Sequence, residues 1–382
     1  MTQSETHYAE THQARSSKKN WLMLAVLIYG ILVAVTVIGG GFKLATGDQA
    51  KALFEFAANP VLGLIIGMVS TALIQSSSTV SSIIVAMVAG GLPIEIAIPM
   101  IMGANIGTSI TSTIVSLGHV TDKEEFQRAF NAATIHDFFN IISVLIFLPL
   151  EIAFGLLEKI SAAMVGVFAS SSGMSVGGFN PIKAVTKPVS NTIQDALSFL
   201  PDVYAGIAMA LIGVALIIVS ITFMGKTMKS LMVGRAKDIL HKSIGKGPLQ
   251  GITSGTVVTV LVQSSSTTTS LVVPLVGNGV LTARDIYPFT LGANIGTCIT
   301  ALLAAVAVTG ANAVFALEIA LVHLMYNVLG VTVIYGVKLL RNIPLHLAEQ
   351  LSIKVAEQKL YGLAYILVLF FVVPLSVITV AG

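Results

Sequence analysis

Charged residues are scarce in this sequence. Of its 382 residues, 10% are charged and 55% are hydrophobic, whereas a soluble domain contains about 25% charged residues. This scarcity excludes an ordinary water-exposed surface and predicts an all-α membrane protein that crosses the bilayer several times. The formal net charge of +3 is too small to indicate nucleic-acid binding, so we expect no nucleic-acid partner.

Cysteine is almost absent as well. The one cysteine, Cys298, has no partner for an internal disulfide, so helix packing must supply the stability and Cys298 is interpreted as a small packing residue. The apolar run from Trp21 to Phe42 exceeds the roughly 7–15 residues of a signal-peptide core. We expect residues 1–20 to form a cytoplasmic N-terminal tail and the run to be an uncleaved first transmembrane helix.

The apolar runs fall into two classes. Stretches 61–92 and 251–280 are each interrupted by QSSST, at 75–79 and 263–267. Their arms of about 12–14 residues reach only part-way across a bilayer, which predicts two re-entrant hairpins with tips near the midplane. The other runs are near the ~20 residues that a spanning helix needs, at 21–42, 97–117, 129–150, 203–224, 285–308, 314–336 and 362–381.

The distribution of basic residues predicts the sidedness. Residues 225–250 contain six Lys and Arg against one acid, Asp238, which predicts a cytoplasmic basic loop by the positive-inside rule. A cytoplasmic N-terminus and two non-spanning hairpins give the same result and place residues 151–202 outside as an extracytoplasmic loop. Residues 338–361 have two alternatives, a surface amphipathic helix or a stretch that conceals a crossing, so the side of the C-terminus stays open.

Three motifs occur twice in the same order. After QSSST comes GANIGT, at 103–108 and 292–297, and then His-x-x-aromatic-Asn, as HDFFN at 136–140 and HLMYN at 323–327. By the predicted sidedness, the helices that begin the two halves run in opposite directions, which is typical of the inverted repeats of secondary transporters. We therefore predict two inverted-topology repeats, each with a re-entrant hairpin and a transmembrane helix broken at GANIGT. Their bounds are 21–150 and 203–336, with residues 337–382 as a connector and C-terminal transmembrane helix.

The repeated motifs supply the chemistry of an ion site. A single QSSST is explained by helix packing, but two copies on short-armed hairpins favour a function. Unpaired N–H groups at a helix end attract anions, while hydroxyl, amide and carbonyl oxygens suit Na⁺. The glycines of GANIGT allow helix interruption and close backbone approach, so that its Asn and Thr direct oxygens at the tips. The candidate residues are Gln75, Ser76, Ser77, Ser78, Thr79, Asn105, Thr108, Gln263, Ser264, Ser265, Ser266, Thr267, Asn294 and Thr297.

Fixed positive charge is missing from this region. No Lys or Arg lies in either hairpin or in the 97–117 and 129–150 spans. A buried anion without a counter-charge is very costly, and co-bound Na⁺ removes that cost. The sequence therefore predicts sodium-coupled symport of an anion.

Asp137 is the one carboxylate well inside an apolar span of the first half. An intramembrane acid indicates function, although the nearby Arg128 also allows a position among hydrated headgroups. The corresponding residue of the second half is Leu324. His136 and His323 are interpreted as packing histidines rather than proton carriers.

QSSST and GANIGT in both halves, with HDFFN closing the first, closely resemble the type II sodium-dependent phosphate cotransporters over residues 21–380. The resemblance implies inorganic phosphate as substrate and Na⁺ as coupling ion, with no cofactor. It places the family's phosphate and sodium ligands on both QSSST pentapeptides and a sodium site on Gln263, Ser264, Thr297 and Thr300. Thr108 and Thr111 are the first-half images of those two threonines.

The resemblance also implies electrogenic transport, because Asp137 matches the acidic position of electrogenic members, with an additional Na⁺ there. Cys298 departs from the Thr or Ser expected at its position. The 151–202 segment resembles a shortened form of the external loop of animal members, and their long C-terminal tail is absent. Both features fit a bacterial protein of the inner membrane.

The predicted function is sodium:phosphate symport into the cell by alternating access, with phosphate, Na⁺ and the lipid bilayer as partners. A homo-oligomer is left open. One alternative is another oxyanion, sulfate or a dicarboxylate, because helix termini do not by themselves select the anion; another is a channel. An intramembrane serine hydrolase is disfavoured because the sequence has no G-x-S-x-G motif, and we expect the protein not to be an enzyme.

Overall fold

Apolar runs fold as α-helices in hydrocarbon because the backbone must satisfy its own hydrogen bonds there. A computed structural model of the protein describes residues 3–46, 59–172, 181–243, 246–308 and 312–381. Among these residues every regular element is helical and no strand occurs. The predicted all-α class is therefore confirmed.

The described residues form sixteen α-helices, two of which continue into short π-helical turns. In chain order they are α1 Gln3–Thr46, α2 Pro60–Ile74, α3 Ser77–Gly90, α4 Ile94–Thr108, α5 Ile110–Ser116, α6 Lys123–Phe154, α7 Leu156–Ser172, α8 Pro181–Ala196, α9 Asp202–Ser243, α10 Pro248–Val262, α11 Ser265–Gly277, α12 Ala283–Ala307, α13 Ala313–Gly330, α14 Lys338–Glu357, α15 Leu360–Leu367 and α16 Val373–Ala381.

Seven stretches of the described helices are long and apolar enough to cross a membrane. They coincide with the seven spans predicted from the sequence, and the protein is a multi-pass membrane protein. Large apolar side chains such as Leu145, Leu211 and Val306 are 59–68% exposed on the outer surface, where they can contact lipid. The seven stretches are Lys19–Ala45, Ile94–His119, Lys123–Phe154, Asp202–Met228, Ala283–Ala307, Ala313–Tyr335 and Leu360–Thr379.

The helices on either side of each QSSST are short. Helices α2, α3, α10 and α11 contain 13–15 residues, about 20 Å at 1.5 Å per residue, which is less than the ~30 Å hydrocarbon core. Pro60 and Pro248 begin the first arms, where proline costs no helical hydrogen bond. The short arms predicted on either side of QSSST are therefore helices too short to span.

Three polar segments are more helical than the sequence indicated. Helix α9 continues as far as Ser243, so most of the predicted 225–250 loop is helix, and the predicted 1–20 tail is helical from Gln3. The predicted 151–202 loop contains α7 and α8. Polar sequence was taken to mean loop, but Lys, Arg and Glu are good helix formers. Residues 338–357 form α14, which is not among the seven described stretches long and apolar enough to cross a membrane.

GANIGT does not break the helix in the second half. Helix α12 runs without interruption through residues 292–297, whereas in the first half α4 ends at Thr108 and α5 begins after Ser109. The prediction of a break at the motif in each half is therefore wrong for the second half. In the first half the break follows the motif.

The glycines of GANIGT serve close packing instead. A Cβ on Gly103 would overlap the carbonyl oxygen of Leu64, and a Cβ on Gly292 would overlap that of Ile252. Helix α2 therefore lies backbone to backbone along α4, and α10 lies in the same way along α12. Each first arm is fixed against the GANIGT helix of its own half.

The second arms contact the opposite half. Helix α3 packs against α12 and α13, and α11 packs against α5 and α6. Helix α7 lies on α13 and α14 lies on α6, while α1 and α9, which begin the two halves, pack along each other. The central layer between the halves therefore contains both QSSST segments and both GANIGT helices.

Candidate ion-binding site

The two QSSST segments adopt the same conformation. Gln75 (φ 55°, ψ 31°) and Gln263 (φ 56°, ψ 29°) are left-handed and end the first arms. Among the described residues they are the only non-glycine residues with positive φ. The backbone N–H of each donates to a carbonyl one turn earlier, to Thr71 and Thr259, at 2.7 Å in both cases. The glutamine is therefore a one-residue turn between two half-helices.

A serine begins the second arm of each pair. The hydroxyl of Ser76 accepts from the backbone N–H of Thr79 at 3.2 Å, and that of Ser264 accepts from the N–H of Thr267 at 3.1 Å. These N-caps leave the other first-turn N–H groups without intrahelical partners. Each tip therefore presents free amides and hydroxyls at the positive end of a helix dipole, which suits an anion.

Most tip hydroxyls lie inside the protein. The side chains that are at most 7% exposed are Ser77, Ser78, Thr79, Ser265 and Ser266. Ser76, Ser264 and Thr267 are half-buried. Polar groups removed from solvent in this number indicate a site rather than a surface feature.

The two tips differ in their glutamine side chains. Thr300 donates its hydroxyl to Oε1 of Gln263 at 3.1 Å, and Nε2 of Gln263 donates to the carbonyl of Val260 at 2.7 Å. In the first half Gln75 is exposed, and the hydroxyl of Thr111 is buried and has no hydrogen-bond partner among the described residues. The structure therefore brings the glutamine and the threonine together in the second half only.

Thr108 and Thr297 face their own helices. Their hydroxyls donate to the carbonyls of Ala104 and Ala293, one turn earlier, at 2.9 and 3.1 Å. The oxygen of each threonine keeps a lone pair for a cation. Thr297 lies one turn from Thr300 on α12, so both line the side of the helix near Gln263. Their role as sodium ligands stays a prediction.

One hydrogen-bond chain joins the second GANIGT to the first half. Nδ2 of Asn140 donates to the backbone carbonyl of Asn105 (2.9 Å), so Oδ1 of Asn140 is free to accept from Nδ2 of Asn294 (2.8 Å). Oδ1 of Asn294 then accepts from Nε2 of His136 (2.6 Å). Because the chain ends on a carbonyl, every amide orientation and the histidine tautomer are fixed.

The second chain is the counterpart of the first. Nδ2 of Asn327 donates to the carbonyl of His323 (2.9 Å), its Oδ1 accepts from Nδ2 of Asn105 (2.8 Å), and Oδ1 of Asn105 accepts from Nε2 of His323 (3.1 Å). Each GANIGT asparagine therefore binds the His-x-x-aromatic-Asn motif of the opposite half. We name these contacts the crossed His–Asn chains.

The crossed His–Asn chains give roles to residues that the sequence left undecided. Asn105 and Asn294 bind histidines of the opposite half with the amide oxygens that were expected to face the tips, and their part in ion binding stays a prediction. Neither His136 nor His323 hydrogen-bonds a serine in the part of the chain that the structure describes. Cys298 is buried, and its sulfur accepts a hydrogen bond from Nδ2 of Asn327 at 3.4 Å, in keeping with its interpretation as a packing residue.

Asp137 is fully buried rather than at the headgroup level of the surface. Its Oδ2 accepts from the hydroxyls of Thr113 (3.2 Å) and Tyr365 (2.9 Å), and its Oδ1 has no hydrogen-bond partner within the described part of the chain. Among the described residues no cation forms an ion pair with it. A buried carboxylate in this setting favours a bound cation.

Two contacts of the site were not anticipated from the sequence. Tyr365 comes from α15, which lies outside both predicted repeats, and Ser112 of α5 hydrogen-bonds Thr269 of α11 across the halves at 2.7 Å. Tyr365 lies in a separate apolar helix about 230 positions from Asp137, and no pattern in the sequence links the two.

Comparison with known proteins agrees with the family resemblance of the repeated motifs. A profile of the protein family described as Na⁺/Pi-cotransporter matches residues 30–176 and 216–349. Sodium-dependent phosphate transport protein 2B of Pongo abelii is 32% identical over 93% of this chain and 64% of its own length. Protein 2A of Rattus norvegicus is 32% identical (94% of this chain, 68% of its own length), and protein 2A of Ovis aries is 33% identical (92% and 66%).

The chain therefore spans about two thirds of the length of these relatives. No solved structure matched.

Proposed function

The chain belongs to the Na⁺/Pi-cotransporter family, and from that membership we propose that it moves inorganic phosphate into the cell together with Na⁺. The family members it resembles are transport proteins, and the protein is a transporter rather than an enzyme. The observation that carries the proposal is the pair of tips at Gln75 and Gln263, which share one backbone conformation: a left-handed turn followed by a serine-capped helix start.

The chemistry of the tips suits phosphate and sodium together. Free amides and hydroxyls at the starts of α3 and α11 donate to an oxyanion, while Gln263, Ser264, Thr297 and Thr300 offer oxygen to Na⁺. Because the hairpins contain no Lys or Arg, Na⁺ is the available counter-charge for phosphate. Binding of the two ions is therefore interdependent, which is the requirement of a symporter.

We place the tips near the bilayer midplane, on re-entrant hairpins of two inverted-topology repeats. Support comes from the short arms, from the equal order of elements in α1–α6 and α9–α13, and from the crossed contacts between the halves. In this arrangement the repeats expose the tips to each side in turn, which is transport by alternating access. The N-terminus is cytoplasmic and the membrane is the inner membrane of a bacterium.

We further propose that transport is electrogenic, with an additional Na⁺ at Asp137. The support is a buried carboxylate that, among the described residues, has no ion pair with Lys or Arg and has one oxygen without a hydrogen-bond partner. In this proposal the other co-bound Na⁺ ions neutralise the phosphate, and the additional Na⁺ at Asp137 is the one that makes each cycle carry net positive charge inward.

Uptake of radiolabelled phosphate by proteoliposomes, with and without an inward Na⁺ gradient, tests the function. We expect phosphate uptake to require Na⁺, to be inhibited by competing arsenate and to be unaffected by sulfate. Sulfate or dicarboxylate competition would instead assign a different oxyanion, and uptake independent of Na⁺ would contradict symport. A fluorophosphonate probe that labelled a serine would contradict the absence of enzyme activity.

A further inference from the structure

Tyr365 connects the C-terminal span to the buried carboxylate of the first half. Its hydroxyl donates to Oδ2 of Asp137 at 2.9 Å. Its ring lies against Phe130 and Phe138 of α6, with ring centroids 6.1 and 6.4 Å apart. These aromatic contacts limit the tyrosine rotamers, so the hydroxyl has a fixed position relative to α6.

Close packing holds α15 in place around this contact. A Cβ on Gly362, one turn before Tyr365, would lie 2.9 Å from Val355 of α14 and 3.3 Å from Phe130. The helix therefore approaches α6 and α14 without space for a larger residue. The distance between the tyrosine hydroxyl and Asp137 is set by packed helices rather than by a mobile loop.

The two oxygens of the Asp137 carboxylate have different surroundings. Oδ2 accepts two hydroxyl hydrogen bonds, whereas Oδ1 is buried and accepts none from the residues that the structure describes. The one proton of the Thr113 hydroxyl is shared with the carbonyl of Ser109 at 3.3 Å. The Ser109 hydroxyl also lies beside this carboxylate, but its proton is donated to the carbonyl of Ile106 at 2.8 Å. Of these three hydroxyls, that of Tyr365 is therefore the one whose proton goes to Asp137 alone. A carboxyl group otherwise rotates readily about its last torsion.

We propose that Tyr365 is a positioning residue for Na⁺ at Asp137. Its hydroxyl holds Oδ2 and fixes the plane of the carboxylate, which leaves Oδ1 as the oxygen directed at the cation. This inference rests on the proposed function, since it assumes that Na⁺ binds Asp137. It adds that the C-terminal span, which belongs to neither repeat, takes part in that site.

Tyr365→Phe tests the inference because it removes the hydroxyl and keeps the ring. We expect the Na⁺ concentration for half-maximal phosphate uptake to rise by roughly tenfold, the loss expected for one hydrogen bond to a charged group. Maximal uptake at saturating Na⁺ should stay near that of the wild type. The purified variant should also require about tenfold more Na⁺ for the same increase in thermal unfolding temperature, a measurement that does not depend on transport.

The control is Tyr361→Phe, on the same helix but with an exposed ring, which should leave the Na⁺ dependence unchanged. In an Asp137→Gly background, Tyr365→Phe should have no further effect, because its only proposed role is through that carboxylate. If Tyr365→Phe left the half-saturating Na⁺ concentration unchanged, or lowered only the maximal uptake, the inference would be overturned. The proposed function would still hold as long as wild-type uptake required Na⁺. Wild-type uptake that did not need Na⁺ would refute both.

Discussion

At the scale of single residues, the most informative feature is the left-handed glutamine at each tip. A non-glycine residue in this conformation costs about 1–2 kcal/mol, and the described residues contain only two, Gln75 and Gln263. Glycine would adopt the same turn without that cost. Since both copies retain glutamine, the side chain itself has a use that outweighs the strain, which indicates a functional position.

Substitution of Gln263 by Gly and by Ala distinguishes the role of the side chain from that of the left-handed turn. Both variants should lose nearly all phosphate uptake, because the amide that binds Thr300 is absent. Gln263→Gly should be more stable than Gln263→Ala by about 1 kcal/mol, since only glycine relieves the left-handed strain. The same pair at Gln75 should also lose uptake, there through loss of a proposed ion ligand, since Gln75 is exposed and makes no bond to Thr111. Measurements of uptake and thermal unfolding check this, and full uptake in either alanine variant would favour a packing role for QSSST.

Asp137 gives a second prediction at this scale. Asp137→Gly should retain Na⁺-dependent phosphate uptake but lose net charge movement, because the carboxylate that binds the additional Na⁺ is gone. Phosphate-evoked current across a planar membrane or in whole cells measures this. The matched control is Asp195→Gly, which removes an exposed acid from α8 and should keep the current. An unchanged current in Asp137→Gly would contradict the electrogenic role.

At the scale of helices, GANIGT acts through its small residues. Gly103 and Gly292 let α4 and α12 approach the first arms so closely that backbone atoms are in contact. Without a hydrophobic force between helices in lipid, such contacts are a main source of association. These contacts fix each first arm in place, and they thereby fix the position of the tip that follows it.

Replacement of one of these glycines by alanine should therefore lower the stability of the protein. Gly292→Ala places a methyl group on the Ile252 carbonyl, so α10 and α12 must separate, at a cost of about 1–3 kcal/mol. Thermal unfolding in detergent measures the loss. Gly166→Ala is the matched control: Gly166 is in α7, and outside its own helix no heavy atom of the described residues lies within 4 Å of the added carbon. Alanine there should stabilise the protein by about 0.5–1 kcal/mol. Equal effects at both sites would contradict the close approach.

At the scale of the whole molecule, the halves are joined by reciprocal contacts. The crossed His–Asn chains connect each GANIGT helix to the opposite half, and Ser112 connects to Thr269. Arg128 of α6 donates to the carbonyl of Gly277 at the end of α11, while Asn312 donates to that of Ala89 near the end of α3. The end of each hairpin is therefore held by the other half, as expected for two repeats around a shared centre.

Inverted topology makes a direct prediction about sidedness. Lys123 begins α6 and Val314 lies in the first turn of α13; they occupy nearly equivalent places in the two halves, and both are exposed. In a Cys298→Ala background, Val314→Cys should react with an impermeant maleimide from outside intact cells. Lys123→Cys should react only after permeabilisation. Reaction of both from the same side would contradict inverted repeats.

The sequence by itself determined the all-helical membrane class, the seven spans and the short arms around QSSST, because hydropathy and length directly set what a helix does in a bilayer. It also predicted the repeat, which makes the two QSSST tips equivalent positions of the two halves. The prediction of a helix break at GANIGT was wrong for the second half, since glycine permits either a break or a close contact and only the neighbouring helix decides which.

The tertiary structure decided which side chains meet. Asn105 pairs with His323, Asn294 pairs with His136, and Tyr365 reaches Asp137. These partners are separated by about 160–230 positions, and sequence periodicity reports only which face of its own helix a residue occupies. The partner on the next helix depends on how the helices pack, which is set by contacts summed over the whole molecule.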